Sequence, residues 1–335
     1  MSLSSTFDRF RAPISTTNPV LRAVDVILRG VGQVVFQSNW LSGLLLLVAI
    51  GFNSRVYLVA AVLGVVVSTS AAVALQADRA QVAAGLYGYN GTLAGIGLTF
   101  AMSHDVVTGD WPDLRLYLLI AVAAALSTVL VNAVSALLSS HRVPTLTAPF
   151  VLASWLMLFG VYAFTGFTPG AVLTATTPTQ LTSTAAYTAL TLWNGTWRGI
   201  GEIFFQDNVV SGVIVVVGVL VNTRIGALMC VGGSAGAALI AMAAGADEGA
   251  INAGLYGYNA ALTAMALGGV FIVVDAMGLL YTASGVVVTT FAWPAVATVL
   301  APIGMPTFTF PFVLTTWIFL LARPGFAALT PRSAA

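Results

Sequence analysis

The chain has 335 residues, of which 59% are hydrophobic and only 7% are charged, and its mean hydropathy is +0.97. This much apolar surface cannot be hidden in one soluble core, which excludes a soluble enzyme. The chain contains arginine but no lysine and has a formal net charge of +1. Catalysis by a lysine Schiff base and binding of nucleic acid are therefore excluded as well.

The composition is typical of an all-α polytopic membrane protein. A bilayer span takes ~20 apolar residues, so the chain has room for about ten spans. After an N-terminal segment at 1–19, the first half of the chain is predicted at 20–164. It opens with a polar segment at 20–37 and an apolar run at 41–52, which are too short and too polar for two full spans. The opening segment is therefore predicted to be re-entrant.

Apolar runs define the remaining elements. The first half continues with a long span, a glycine-rich segment, another long span and a proline-containing segment at 56–75, 81–102, 116–138 and 143–164. A linker at 165–184, rich in Thr, Gly and Pro, leads to the second half at 185–322 and a C-terminal tail at 323–335. The corresponding elements of the second half are predicted at 186–206, 211–221, 225–244, 250–274, 277–300 and 305–321.

An internal repeat connects the two halves. The residues from Ala84 to Asn90 recur without change from Ala253 to Asn259. An arginine-glycine block that precedes them and a Pro-x-x-Thr-x-Pro-Phe block that follows them also recur, in the same order. Three blocks in one order indicate that the second half restates the first.

The distribution of arginine predicts the orientation in the membrane. Arginines cluster near both termini, at Arg9, Arg11, Arg22, Arg29, Arg323 and Arg332. No charged residue occurs from Val143 to Trp197, a stretch that contains the linker. Both termini are therefore expected to be cytoplasmic and the linker external. Each half then crosses the membrane an odd number of times, and the halves are inverted, an arrangement that places a transport path at the midplane.

Glu202 is the sharpest candidate for a functional residue. A carboxylate at the centre of a membrane helix costs ~2.5–3.5 kcal/mol on insertion scales and usually faces a water path. Its repeat equivalent is Gln33, which favours two hydrogen-bonding groups facing each other across a two-fold axis. The structural alternatives are a buried carboxylate that bonds a neighbouring helix end and a glutamine that joins two helices.

The Gly-Leu-Tyr-Gly-Tyr-Asn blocks combine glycines, which let backbones approach, with aromatic residues. The glycines are predicted to serve helix packing, and two small-residue faces, Gly91 with Gly95 and Gly232 with Gly236, extend this reading. Tyrosine normally lies at membrane interfaces rather than at span centres. The tyrosines of these blocks, Tyr89 and Tyr258, are therefore expected to line a path.

The Pro-x-x-Thr-x-Pro-Phe blocks each place a threonine between two prolines, at Thr147 and Thr309. Two prolines so close together break the helix and leave backbone carbonyls unpaired. Free carbonyls at membrane depth survive only where they line a cavity. The hydroxyls of the threonines either point into that cavity or bond back to their own helix.

In both halves these repeated blocks resemble the signatures of the urea transporter family, in its bacterial channel form. The resemblance implies a homotrimer with one pore per protomer, and in each half five spans and one tilted re-entrant helix. It implies polar ligands at Gln33, Glu202, Thr147 and Thr309. It further implies a slot with these walls and flanking residues: Phe36, Tyr89, Phe205, Tyr258, Val34, Ile203, Leu93 and Leu262. The sequence departs from the family pattern at Val143 and Met305, where leucine is expected, and in having tyrosine at the walls.

The expected function is passive transport of urea across the cell (inner) membrane, with urea and membrane lipid as partners and with no cofactor or metal. Urea is flat and neutral, with N–H donors that need acceptors and a plane that suits a flat aromatic slot. The alternative is a channel for ammonium, ammonia or another small neutral solute. Its expected pore histidines are missing, since His104 and His141 lie in predicted loops. An intramembrane hydrolase would need a nucleophile with a base in reach or a metal motif, and the sequence offers neither.

Overall fold

The computed structural model describes residues 12–15, 17–102, 111–178, 180–181 and 186–332. Arg9, Arg11, His104 and part of the linker therefore lie outside the described residues. In the described part the secondary structure is helical, and the β-structure consists of one isolated bridge between Ile272 and Pro331. This confirms the all-α expectation.

The first half contains seven α-helices in the described residues. In chain order, α1 to α7 are Pro19–Gly32, Trp40–Asn53, Arg55–Ala74, Arg79–Ala83, Gly88–Met102, Leu114–Leu138 and Ala148–Val161. A 3₁₀ turn over Gln33–Val35 extends α1. Further 3₁₀ turns lie at Ser139–His141 and, within the predicted linker, at Ala171–Leu173.

The second half contains the same order of helices. Here α8 to α14 are Ala189–Gly201, Val209–Leu220, Arg224–Ala243, Glu248–Asn252, Gly257–Ala264, Ala276–Leu300 and Phe310–Ala322. A 3₁₀ turn over Glu202–Phe204 extends α8, and a π-helical segment over Met265–Phe271 extends α12. Two more 3₁₀ turns, Ala301–Ile303 and Arg323–Gly325, follow α13 and α14.

Length and apolar composition make several helices able to cross a membrane. Four of the described helices qualify alone, namely α3, α6, α10 and α13. The pairs α1 with α2 and α8 with α9 qualify only together and are bent by 73° and 70°. A bent pair of this kind is a broken span or a re-entrant loop. The helices α7 and α14 are apolar but shorter. The chain is therefore a multi-pass helical membrane protein, in which the number of spans per half and their inversion stay predictions.

Local sequence explains where the bent pairs break. In the first half the residue after the 3₁₀ turn, Phe36, has φ of 63°, a left-handed conformation that a bulky side chain rarely adopts. The N–H of Gln37 donates to the carbonyl of Gly32 at 3.0 Å, and a Cβ on Gly32 would collide with the Gln37 carbonyl. The turn therefore requires glycine before it. Asn39 then caps α2 by accepting hydrogen bonds from the N–H groups of Leu41 and Ser42.

The chain forms two compact units. One comprises the residues up to Ser140, Pro144–Thr174 and Val217–Asn222, and the other comprises His141–Val143, Ala175–Val216 and the residues from Thr223. The segment Pro144–Thr174 of the first unit ends inside the predicted linker. In that unit the linker is held to the helices, because the N–H of Gly170 donates to Ala101 and Arg115 donates to the carbonyl of Gly166.

Glycine contacts explain the helix packing in the first unit. Gly85 has φ of 81°, and a Cβ there would lie 2.5 Å from the N of Gly30. On α5, Cβ atoms at Gly91 and Gly95 would collide with the backbone carbonyls of Gly64 and Ala60 on α3. The predicted packing role of these glycines is confirmed, since only glycine allows such close backbone contact.

The corresponding expectation for Gly232 and Gly236 is wrong. A Cβ on Gly232 would have no neighbour within 4 Å, and one on Gly236 would make only ordinary contact with Val286 at 3.6 Å. The neighbouring Gly233 makes the contact instead, because its Cβ would lie 2.7 Å from the carbonyl oxygen of Ala260. The helix α10 therefore packs on α12 through a face one residue away from the predicted one.

Candidate functional site

The site in the first half begins where α1 ends. Gln33 is half-buried in the 3₁₀ turn, and its Nε2 donates to the carbonyl of Ala84 at 2.8 Å. Ser38 Oγ donates to the same carbonyl at 3.2 Å. The next residue in the turn, Val34, is buried, whereas Phe36 is half-buried. The turn packs against α5, which brings the predicted polar ligand close to the helix that carries Tyr89.

Tyr89 on α5 reaches the broken backbone before α7. Its hydroxyl donates to the carbonyl of Leu146 at 2.7 Å and lies 3.3 Å from Thr145 Oγ1. Leu146 itself has φ of 49°, so this carbonyl belongs to a residue in an unusual backbone conformation. Leu93 lies one turn after Tyr89, on the same side of α5, and is fully buried.

Thr147 lies immediately before α7, and a different residue caps that helix. The side chain of Thr147 makes no capping hydrogen bond, whereas the N–H of Phe150 donates to Asn90 Oδ1 at 3.0 Å. Because the helix begins after Thr147, its hydroxyl has no preceding turn of that helix to bond to. The prolines act as predicted on the backbone before α7, but Pro149 lies in the first helical turn, where it removes no intrahelical hydrogen bond.

The second half builds the same site with a carboxylate. Glu202 is half-buried in the 3₁₀ turn after α8, and its carboxylate accepts no hydrogen bond from the described residues. Ile203 beside it is fully buried. Phe205 has φ of 59°, and Gln206 N–H donates to the carbonyl of Gly201 at 3.1 Å. The turn geometry of the first half is therefore repeated, and the turn packs against α12.

Tyr258 on α12 makes the same kind of hydrogen bonds as Tyr89 makes in the first half. Its hydroxyl donates to the carbonyl of Phe308 at 2.8 Å and lies 3.1 Å from Thr307 Oγ1. Phe308 has φ of 48° and contacts Phe205 edge to face, with ring centroids 6.0 Å apart. An aromatic pair in this geometry gains about 0.5–1.5 kcal/mol beyond burial of its surface. Two predicted wall residues, Phe205 and Tyr258, are thus joined through Phe308.

The remaining candidates of the second half are buried around these bonds. Leu262 is fully buried on α12, and Thr309 is buried before α14 without capping it. The N–H of Phe312 donates to Asn259 Oδ1 at 3.0 Å, so Asn259 replaces Thr309 as the cap. In each unit, therefore, the break in a bent pair, the helix with the Tyr-Asn sequence and the start of the proline-containing helix lie close together.

Several residues of this arrangement were missed by the sequence reasoning. They are the carbonyl-bearing residues Ala84, Leu146 and Phe308 and the hydroxyl-bearing residues Thr145 and Thr307. A signal was available for the threonines, because both stand in the repeated Pro-Thr pairs. The proline pattern predicted free carbonyls in these blocks but not which residues carry them, since every residue type has that group.

The histidines and acidic residues form no metal centre in the described part of the chain. His141 lies in the exposed 3₁₀ turn after α6, and His104 is outside the described residues. Within those residues, no group of three or more His, Cys, Asp or Glu side chains could hold a metal ion.

Comparisons with known proteins identify the family. The family model described as Urea transporter matches residues 24–324. The chain is 33% identical over 307 residues to Urea transporter 1 of Ovis aries, with 90% of this chain and 77% of the sheep protein covered. Urea transporter 1 of Mus musculus is 32% identical over 308 residues, with the same coverage of both chains. Because the family model matches nearly the whole chain, this protein belongs to the urea transporter family.

Proposed function

We propose that this protein carries urea passively across a membrane, through a narrow aromatic-walled path in each protomer. The observation that carries the proposal is the match to the urea transporter family over 24–324. The relatives are named as transporters of urea. A member of this family is a transporter and not an enzyme.

The chemistry of the repeated site supports the choice of solute. Urea offers N–H donors in one plane and loses water at little cost only where acceptors replace that water. The proposed ligands are Gln33, Glu202, Thr147 and Thr309, all half-buried or buried beside broken backbone. The Leu146 carbonyl adds acceptor capacity, because the hydrogen bond from Tyr89 occupies only one of its two lone pairs.

Flat side chains are proposed to provide the selectivity. Phe36 and Phe205 follow equivalent turns with left-handed φ, and Tyr89 and Tyr258 are fixed by equivalent hydroxyl bonds. Rings held in this way can accept a planar molecule by face contact. The apolar residues proposed to lie beside them are Val34, Ile203, Leu93 and Leu262.

Assembly and orientation complete the proposal. A homotrimer in the cell (inner) membrane, surrounded by lipid and with both termini cytoplasmic, follows from the family resemblance and the arginine distribution. Cross-linking in membranes tests the trimer, and protease digestion of sealed inverted vesicles tests the termini. Bands beyond the trimer, or protection of both tails in inverted vesicles, would contradict these assignments.

Stopped-flow measurements on proteoliposomes test the transport function. Liposomes that contain the purified protein should equilibrate urea much faster than protein-free liposomes, and the protein should increase the permeability to urea by a larger factor than the permeability to glycerol or ammonia. Passive transport should be unaffected by a membrane potential or an ion gradient. Rapid ammonia flux with no urea flux would favour the ammonia channel, and a requirement for an ion gradient would rule out passive transport.

A further inference from the structure

A charged cleft lies in the first unit, away from the polar groups proposed to bind urea. It has a volume of about 1100 Å³. Its charged lining residues are Arg22, Asp25, Arg29, Asp78 and Arg79. These come from the first turns of α1, from the end of that helix and from the start of α4, so no single run of the sequence reveals the cluster.

Both carboxylates of the cleft are already engaged. Asp25 Oδ2 accepts a hydrogen bond from Arg29 Nε at 2.7 Å, and Arg29 also donates to the carbonyl of Ser38. Asp78 caps α4 by accepting from the N–H of Gln81 at 2.8 Å. Arg22 and Arg79 are both exposed and form no ion pair with any described residue. Three arginines against two aspartates therefore give the cleft a net positive charge.

The second half has different chemistry at the equivalent positions. By repeat alignment, Thr191 stands for Arg22, Glu248 for Arg79 and Asn194 for Asp25. Thr191 Oγ1 donates to Glu248 Oε1 at 2.9 Å, and Asn194 Nδ2 donates to Asn252 Oδ1 at 3.2 Å. The second half thus closes this position with internal hydrogen bonds, which shows that the repeat fold does not need the two arginines.

The surroundings of the cleft are apolar. Val73 is 61% exposed and lines the cleft, and Leu75 beside it is 65% exposed at the end of α3. Val20 and Val24, on the outer face of α1, are also exposed. Because α3 is long enough to span a membrane, its end lies at a membrane interface. The cleft therefore combines cationic groups with apolar surface at the depth of lipid headgroups.

We propose that this cleft binds the headgroup of an anionic phospholipid. Arginine guanidinium groups suit phosphate because their N–H donors form a fork that matches its oxygens. The exposed side chains of Val73 and Leu75 contact the acyl chains. The N-terminal residues Pro13 and Ser15 also line the cleft, so the lipid belongs to the leaflet on the side of the N-terminus.

The test compares lipids on the full-length protein purified in detergent. Thermal unfolding and native mass spectrometry are recorded with dioleoyl phosphatidylglycerol, dioleoyl phosphatidylcholine and inorganic phosphate. Phosphatidylglycerol should raise the melting temperature and remain bound, whereas phosphatidylcholine and phosphate should do neither. Equal effects of the two lipids would overturn the proposal. Full stabilisation by phosphate would reassign the cleft to a free anion and overturn it as well.

Matched variants test whether Arg22 and Arg79 bind the lipid headgroup. The double variant Arg22→Gln/Arg79→Gln should bind phosphatidylglycerol about tenfold or more weakly, since it loses both guanidinium groups proposed to hold the phosphate. The control Arg55→Gln/Arg224→Gln removes the same charge from exposed positions at the starts of α3 and α10 and should bind as the parent does. Unchanged binding in the first variant, or equal loss in the control, would refute the assignment.

A second variant, with residues taken from the other half of the repeat, keeps the test decisive if the glutamine variant does not fold. Arg22→Thr/Arg79→Glu installs the residues of the second half, whose Thr191 to Glu248 bond provides the pattern for a closed cleft. It should keep the parental melting temperature without lipid and lose the response to phosphatidylglycerol. A retained response in this variant would overturn the proposal even if the glutamine variant failed to fold.

Discussion

Gln33 and Glu202 end equivalent helices, yet the protein holds their side chains differently. The amide of Gln33 donates to the carbonyl of Ala84, a bond within the first unit. The equivalent acceptor for Glu202 is the carbonyl of Ala253, but Glu202 forms no side-chain hydrogen bond with it or with any other described residue. The polar group of the first half thus makes a structural hydrogen bond, whereas the equivalent group of the second half makes none with the described residues.

The ion pairs formed by the neighbouring arginines also differ between the two halves, in their exposure to solvent. Arg29 is paired with Asp25 in its own helix, and the two side chains are 11% and 7% exposed. Arg198 is paired with Asp207, and these side chains are 34% and 54% exposed. An exposed pair contributes little and is screened by salt. The ion pair of the second half is therefore the more solvated of the two and contributes less to stability than its counterpart.

The largest effect is expected from replacing the polar groups by leucine. Glu202→Leu removes no hydrogen bond between described residues, so it should fold and insert normally but abolish urea flux. In Gln33→Leu the Ala84 carbonyl keeps the bond from Ser38. That variant should also lose flux, with a loss of unfolding free energy of about 1 kcal/mol. The measurements are stopped-flow urea flux and thermal unfolding of the same preparations.

The difference between these variants distinguishes transport from stability. Parental flux in Glu202→Leu would remove that residue from the path. Loss of flux that tracks loss of folded protein in both variants would instead assign both groups a structural role.

A change of selectivity is expected at the tyrosines. Tyr89→Ala and Tyr258→Ala should raise glycerol permeability relative to urea, because each opens a proposed flat wall. Tyr89→Phe and Tyr258→Phe keep the ring and remove only the hydroxyl that bonds Leu146 or Phe308. These phenylalanine variants should keep the parental ratio of urea to glycerol permeability and lose about 1 kcal/mol of unfolding free energy. The measured quantity is the ratio of urea to glycerol permeability in well-folded protein.

The two types of variant separate the ring from the hydroxyl. If the alanine variants kept the parental ratio, the tyrosines would not wall the path. If the phenylalanine variants changed the ratio as much as the alanine variants, the hydroxyl rather than the flat ring would determine selectivity.

A smaller effect, on stability alone, is expected at neighbouring glycines of α10. Gly233→Ala should destabilise the protein by about 1–3 kcal/mol, because its Cβ would lie 2.7 Å from Ala264 Cβ. Gly232→Ala has open space around it and should stabilise by about 0.5–1 kcal/mol through helix propensity. Thermal unfolding in detergent distinguishes these signs, and destabilisation by both variants would contradict the observed packing face.

These glycines also show what the sequence could and could not predict. Breaks in the apolar pattern correctly predicted that each half opens with two helices too short to cross a membrane alone. The repeated glycine blocks correctly predicted the packing role of Gly91 and Gly95. The choice between Gly232 and Gly233 could not be predicted, because a helix in lipid is apolar on every side and its periodicity does not mark the packed face. The prolines predicted that carbonyls are exposed near Leu146, but the side chains at Ala84 and Leu146 do not determine which carbonyls act as acceptors.

The smallest effect is expected from Glu202→Gln. Glutamine keeps an acceptor oxygen and gains a donor that can reach the Ala253 carbonyl, as Gln33 reaches Ala84 in the first half. The variant should retain most urea flux, lose any pH dependence of flux between weakly acid and neutral conditions, and unfold at the same temperature or slightly higher. Flux as low as in Glu202→Leu would show that transport requires the carboxylate itself.

The bent pair of α1 and α2 also constrains how the chain enters the membrane during synthesis. The helix α1 carries Arg22, Asp25 and Arg29, and these charged residues disfavour its insertion into lipid by itself. The helix α2 carries no charge, and a Cβ on Gly43 would collide with the carbonyl of Leu28, so the two backbones touch. We therefore expect α1 to enter lipid only together with α2, on which its backbone packs.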